Sequence, residues 1–409
     1  MTPAAAPGLA RVLLPFAFAY VLSYLYRTVN AVIAPDLVAR FELSPAQLGL
    51  LTSAYFLTFA AFQLPLGLLL DRFGPRRTDA VLLLVAAVGA FLFAAAGDVF
   101  ALGLGRALIG LGVSGCLMSG IKANVLWFPA QRLPAMNGWM FFAGGIGMVA
   151  ATVPVELALK VTDWRVVFLL LGVLTLTAAA AIVRVVPEHS RAAAIEPFSV
   201  QLHGLREVFR KRVFWDIAVA ATTVQATSMA IQGLWAGPWL RNVAGLSRDA
   251  AAAHLLAMAL ATMAGFLLWG NLATRLARRG VSSARVLAAG MGGFLGVQLL
   301  LSLGFSGAPA LLWIAFGVFG TAGSLAYAIL TQRFPAAQAG RTITALNALV
   351  FTLAFFVQWG IGAIIERWPA SEGQYHPDGF RAAFAACLLV QVMGYAWMLR
   401  GWRNALRSA

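Results

Sequence analysis

The sequence predicts an all-α membrane protein of twelve transmembrane helices arranged as two pseudo-symmetric six-helix bundles, and three observations carry that prediction. Of the 409 residues, 61% are hydrophobic and only 11% charged, with a mean hydropathy of +0.83; a soluble domain carries about 25% charged residues, so soluble folding is excluded. Uncharged apolar runs recur from end to end, each long enough for the ~20 residues that cross a bilayer as helix. With the N-terminus placed inside, 20 of the 30 Lys and Arg fall in cytoplasmic segments and 7 in outer loops, as the positive-inside rule requires. That distribution accounts for the net charge of +15 without a nucleic-acid partner. The bilayer itself is the expected partner, in the inner membrane with both termini cytoplasmic.

The spans fall at roughly 12–36, 45–70, 78–97, 99–123, 135–157, 164–184, 213–239, 248–270, 282–304, 308–331, 341–365 and 380–400. No small-residue cleavage site follows the first apolar run, so that span is expected to be kept. A polar interval from Val185 to Arg212 divides the chain into an N-terminal bundle (1–184), a linker (185–212) and a C-terminal bundle (213–409). The two bundles are related. A shift of 203 residues superposes Pro35 on Pro238, Leu43-Ser44 on Leu246-Ser247, Gly67 on Gly270, Arg72 on Arg275 and Arg76 on Arg279. Ser44 and Ser247 each suit the N-cap that opens the second helix of a half, and a common ancestry of the halves is the economical reading.

Three basic residues lie within spans: Arg27, Arg106 and Lys122. Arg27 is too far from either end of its span to snorkel easily. On a helix it joins Tyr20, Ser23, Tyr24 and Asn30 in one polar stripe. Facing lipid, that stripe would cost several kcal/mol, so it is expected to face protein or water. No acidic residue is expected mid-span, since Asp36 is near an outer end, Asp98 at a boundary and Asp216 near an inner start. Buried cations without a buried carboxylate point to an anion brought by a solute, gripped bidentately by Arg27 with Lys122 as a second charge. The structural alternatives are that Arg27 bonds backbone carbonyls and that Lys122 snorkels to the cytoplasm.

GLLLDRFGPRR, with Gly67, Asp71, Arg72, Gly74, Arg76 and Arg77, joins the second and third spans; GNLATRLARRG, with Gly270, Arg275 and Arg279, does so in the second half, where Thr274 replaces the acid. Glycine there permits close helix approach, and the charges can hold helix ends. RALIGLG in the fourth span supplies Arg106, Gly110 and Gly112. These motifs resemble those of the major facilitator superfamily, with Pro75 a departure from the loop pattern. YLYRTVNAVIAPDL, Tyr24 to Leu37, is similar to the first helix of that superfamily's organophosphate and organic-anion branches. The resemblance implies a conformational lock in the loops, an anion-binding role for Arg27 and a structural role for Arg106. It also implies a central cavity lined by the first, fourth, seventh and tenth spans. Residues there that suit a lining are Tyr24, Asn30, Ser119 and Lys122, then Gln225, Ser228, Gln232 and Trp235, then Tyr327; Asn137, Asn347 and Gln358 come from the fifth and eleventh. The aromatics among them could equally be packing residues.

Cys116 and Cys387 stand singly in apolar runs and read as small buried hydrophobes. No cofactor is called for, and no P-loop, zinc-protease motif or nucleophile set supports an enzyme. Of the histidines, His189, His203 and His376 are expected in loops, while His254 and Met258 form H-x-x-x-M in the eighth span, a pair that could pass copper(I) or, through His254, a proton. The expected activity is secondary transport of a small anionic organic solute by a monomer working by alternating access, with protons a candidate coupling ion. AGGIG, Ala143 to Gly147, lacks the Gly-Pro of proton-driven exporters, which favours uptake over drug export; metal uptake is the other alternative.

Overall fold

A computed structural model describes residues 9–188, 198–335, 338–369 and 374–407. Its helices form two compact units: Met1–Asn30 with Ala54–Pro197, and Ala31–Ser53 with Phe198–Ala409. The second unit thus takes in the C-terminal end of the first span and the start of the next.

In chain order the first helices are α1 (Leu9–Thr28), α2 (Asn30–Phe41), α3 (Pro45–Ala95), α4 (Val99–Val113), α5 (Cys116–Trp127), α6 (Leu133–Ala150), α7 (Val153–Leu159) and α8 (Trp164–Val185). The first span is therefore not one rod: α1 and α2 meet at a 47° bend. At 1.5 Å per residue the 51 residues of α3 would run ~77 Å, more than twice a hydrocarbon core of ~30 Å. It is two spans, parted at Gly74, whose φ of 74° and ψ of 167° are not helical. Ten described helices are long and apolar enough to cross a membrane, or eleven with the bent pair counted as one span; dividing α3 at Gly74 gives twelve. The helix starts follow local chemistry. Ser44 and Gln47 exchange side chain-to-amide bonds of 3.0 and 3.3 Å in a capping box before α3, and Asp98 accepts from the Ala101 amide at 2.8 Å.

Close packing in the first unit rests on glycine. A Cβ on Gly110 would overlap the Tyr55 carbonyl oxygen, and one on Gly112 the Ala86 amide. The G-x-G spacing in α4 thus faces one glycine to each arm of α3. Gly144 and Gly147 of α6 do the same against Tyr20, Tyr24 and Val21 of α1.

The second unit adds α9 (Phe198–Arg210), α10 (Arg212–Ala230), α11 (Ala236–Asn242), α12 (Arg248–Ala277), α13 (Ser283–Ser302), α14 (Pro309–Gly320), α15 (Leu325–Arg333), α16 (Ala339–Ile365) and α17 (Pro377–Arg407). A π-helical turn, Ile231–Trp235, joins α10 to α11. Ser247 caps α12 by accepting from the Ala250 amide at 3.3 Å. α10 packs on α16 and α17, and α12 on α14.

Several expectations need correction here. Two acids beyond those the sequence singles out, Asp79 and Glu156, stand near span ends and are buried all the same. Asp79 directly follows the basic loop in sequence, which makes it look like a loop charge. His203 lies in α9 and not in a loop, while His189 lies outside the described residues. Gly270 makes no close helix contact, since a Cβ there would meet only open space.

Candidate functional site

Arg27 sits on the last turn of α1, immediately before the bend, and is 9% exposed. Its guanidinium carbon lies 4.5 Å from the centre of the Tyr24 ring and 5.5 Å from that of Phe59. Tyr55, Tyr24 and Tyr20 are among the polar side chains about its charge. Ser23 and Asn30, from the same stripe, are buried with it. The stripe predicted from spacing therefore turns inward, and aromatic faces and hydroxyls are among its neighbours, which stabilise a cation.

Arg106 makes a different use of the same surroundings. Only 1% exposed, it donates from Nη1 to the Tyr26 carbonyl at 3.0 Å and its guanidinium carbon is 5.2 Å from the centre of the Tyr55 ring. A continuous helix would direct that carbonyl to the Asn30 amide. Arg106 thus caps the broken end of α1, beside Arg27, and Tyr55 is common to both arginines.

Lys122 does not stand as an unpaired cation. Its Nζ lies 2.8 Å from Asp71 Oδ1, so the loop acid and the α5 lysine neutralise one another across 51 residues of sequence. Ser119, expected beside it in a lining, instead faces Asp79, and Asn124 and Asn137 bond each other at 3.1 Å. The rest of the loop is also occupied within its own unit. Arg76 donates to the Val183 carbonyl at the end of α8, and Arg77 pairs with Glu188. Arg72 lies over the ring of Phe73. In the second loop Arg275 and Arg279 are exposed.

The expected residues of the second unit are largely committed to local contacts. Trp235 is fully buried and donates from its indole to the Gln358 carbonyl at 2.9 Å, so it is a packing residue and not an open lining. Gln358 is buried as well, donating to Thr52 Oγ1 at 2.9 Å. Gln225 donates to the Gly323 carbonyl at 3.3 Å, Gln232 to Thr262 at 3.1 Å and Tyr327 to Asn347 at 2.6 Å. Ser228 abuts Gly320. All of the half-buried members, Gln225, Ser228, Gln232, Tyr327 and Asn347, keep part of their surface open.

His254 uses Nδ1 on the Ala250 carbonyl of its own helix at 2.7 Å, and Met258 is buried against Gly317 where α12 meets α14. Among the described residues no three of His, Cys, Asp or Glu gather as a metal set. Sequence reasoning missed a different pair: Asp36 and Arg248 join bidentately at 2.9 and 2.6 Å within the second unit. The two are 212 residues apart, and only the fold reveals them as partners.

Comparison with known proteins places this architecture. The probable sulfoacetate transporter SauU of Cupriavidus necator is 32% identical over 158 residues, 38% of this chain and 36% of that protein. The hexuronate transporter of Escherichia coli K12 is 28% identical over 155 residues, again 38% and 36%. The match therefore spans little more than a third of these relatives. Among solved structures, a bacterial homologue of the human lysosomal transporter Spinster superposes with a TM-score of 0.77 at 18% identity, covering 99% of both chains. A D-xylose–proton symporter gives 0.73 at 18% identity, over 95% of this chain and 96% of that one. The family model described as Major Facilitator Superfamily matches residues 16–358, and with that extent of agreement the chain belongs to the major facilitator superfamily of membrane transporters.

Proposed function

We propose that the protein is a secondary carrier for a small organic anion, taken up by alternating access, and that Arg27 binds the anionic group. The observation that carries this reading is a guanidinium buried among tyrosines at the break of the first span. Its donor fork suits a carboxylate, phosphate or sulfonate, and the surrounding hydroxyls can complete the shell. Sequence relatives named as hexuronate, galacturonate, sulfoacetate and nitrate/nitrite transporters support the same charge class. Arg106, already bonded to the helix-one backbone, is assigned to holding the bend and not to binding. The Asp36–Arg248 pair and the Thr52–Gln358 bond tie Ala31–Ser53 to the C-terminal helices. In alternating access these are the contacts that must open.

The test is solute-induced thermal stabilisation of purified protein, since a ligand of the folded state raises its apparent stability. Carboxylates such as galacturonate and sulfoacetate are expected to raise the melting temperature of the native protein. In Arg27→Ala the binding free energy should fall by about 2 kcal/mol or more, while the ligand-free melting temperature changes much less. Equal stabilisation of both proteins by the same anion would overturn the assignment.

A further inference from the structure

A carboxyl group buried without a counter-charge is the feature the transport reading leaves unused. Asp79 is 0% exposed and stands on the third-span arm of α3, five residues beyond the break at Gly74. Among the described residues neither of its oxygens completes a hydrogen bond, and the buried hydroxyl of Ser119, which completes none either, is the side chain that faces it. No ion pair reaches it among the described residues.

The surroundings are named easily. From α5 it is faced by Ser119 and Cys116. Lys122, one turn beyond Ser119, is committed to Asp71 at 2.8 Å, and Arg27 on α1 acts on Cys116 and lies among its own tyrosines. The apolar cluster of Leu66, Leu70 and Leu82, with Leu111 and Met118 packed against it, forms the adjoining wall. Gly115, in the gap between α4 and α5, presses close enough that a Cβ there would lie 3.1 Å from Asp79 Oδ1. An ionised carboxylate in such a place lacks both water and a cation, and uncompensated burial of that charge is among the costliest arrangements a fold can hold.

From this geometry we infer that Asp79 is a proton-binding site of the carrier, held as the neutral acid in this conformation with its O–H available to the Ser119 oxygen. Release requires movement of the Ser114–Gly115 turn, the two residues through which α4 passes into α5 with helical φ and ψ. Water then reaches the carboxyl, the O–H bond breaks, the proton passes to that water and the electron pair stays on the carboxylate. Because the fourth span carries this turn and Arg106 of the same span holds the bend beside Arg27, protonation and solute occupancy act on one connected set of helices. The inference deepens the transport reading by supplying its coupling ion, and its first test does not depend on any solute.

Infrared spectra of native protein labelled with heavy carbon at its aspartate carboxyls should show one protonated aspartate at neutral pH, absent from Asp79→Asn. The native spectrum needs no variant to fold, and no protonated aspartate in it would overturn the inference. In proteoliposomes, Asp79→Asn should keep solute exchange but lose accumulation driven by an imposed pH gradient, by tenfold or more. Gradient-driven accumulation equal to that of the native protein would equally overturn it. Failure of the anion reading shows differently: the protonated band persists while anions neither stabilise nor exchange.

Discussion

The loop that follows the second span and its counterpart 203 residues later share a sequence pattern but make different contacts. In the first, Asp71 holds Lys122, Arg76 caps α8 and Arg77 pairs with Glu188. In the second, Thr274 bonds the Gly270 carbonyl of its own helix, and Arg275 and Arg279 are exposed. The backbone differs too. Gly74 takes a positive φ between two spans that otherwise run on as one helix. The second copy instead ends α12 with Gly280 at φ 78°, and Val281 donates back to the Leu276 carbonyl in a Schellman-like closure. The first loop thus has partners on α5 (Lys122 to Asp71), at the end of α8 (Arg76 to Val183) and at Glu188 (Arg77), whereas the basic residues of the second are exposed.

The sharpest way to break this comparison is at the backbone. Gly74→Val forces a β-branched residue into a conformation open to glycine almost alone, at a cost of about 1–3 kcal/mol. The melting temperature of purified protein should fall clearly, whereas Gly270→Val, facing open space, should change it little. Parity between the two would show that the first loop is not the more constrained. A smaller effect is expected from Arg76→Ala, which strips the Val183 carbonyl of its donor and weakens the contact with Glu188. About 1 kcal/mol is expected, against less than about 0.5 for Arg279→Ala, read by the same melts. The smallest concerns the acid. Asp71 and Lys122 are each about a third exposed, so Asp71→Asn should cost no more than about 1 kcal/mol, and the loss should shrink as salt rises. A salt-independent loss would point to packing and not to charge.

Much of the architecture is legible in the chain because lipid imposes strict length and polarity rules. Span positions, the repeat and the inward turn of the Arg27 stripe all follow from local pattern. The breaks are less legible. At the bend near Val29, Arg106 reaches the Tyr26 carbonyl from 80 residues away, a contact no helical period announces. Partnerships were the least legible part of the site. Lys122 looked like a spare cation because its acid lies in a distant loop, and Trp235 looked like a lining residue because its acceptor is the backbone of Gln358. Asp79 escaped notice for the opposite reason: proximity in sequence to Arg76 and Arg77 disguised a group that folds into an apolar wall.

By itself, then, the sequence determined that this chain is a multi-span α-helical membrane protein with an arginine buried in the first span, since hydropathy and helical period act over neighbouring residues. Tertiary structure alone decided which charges are spent on one another and which stay available. That choice depends on atoms brought within about 3 Å across tens or hundreds of residues, where desolvation makes every unmatched charge expensive and every match decisive.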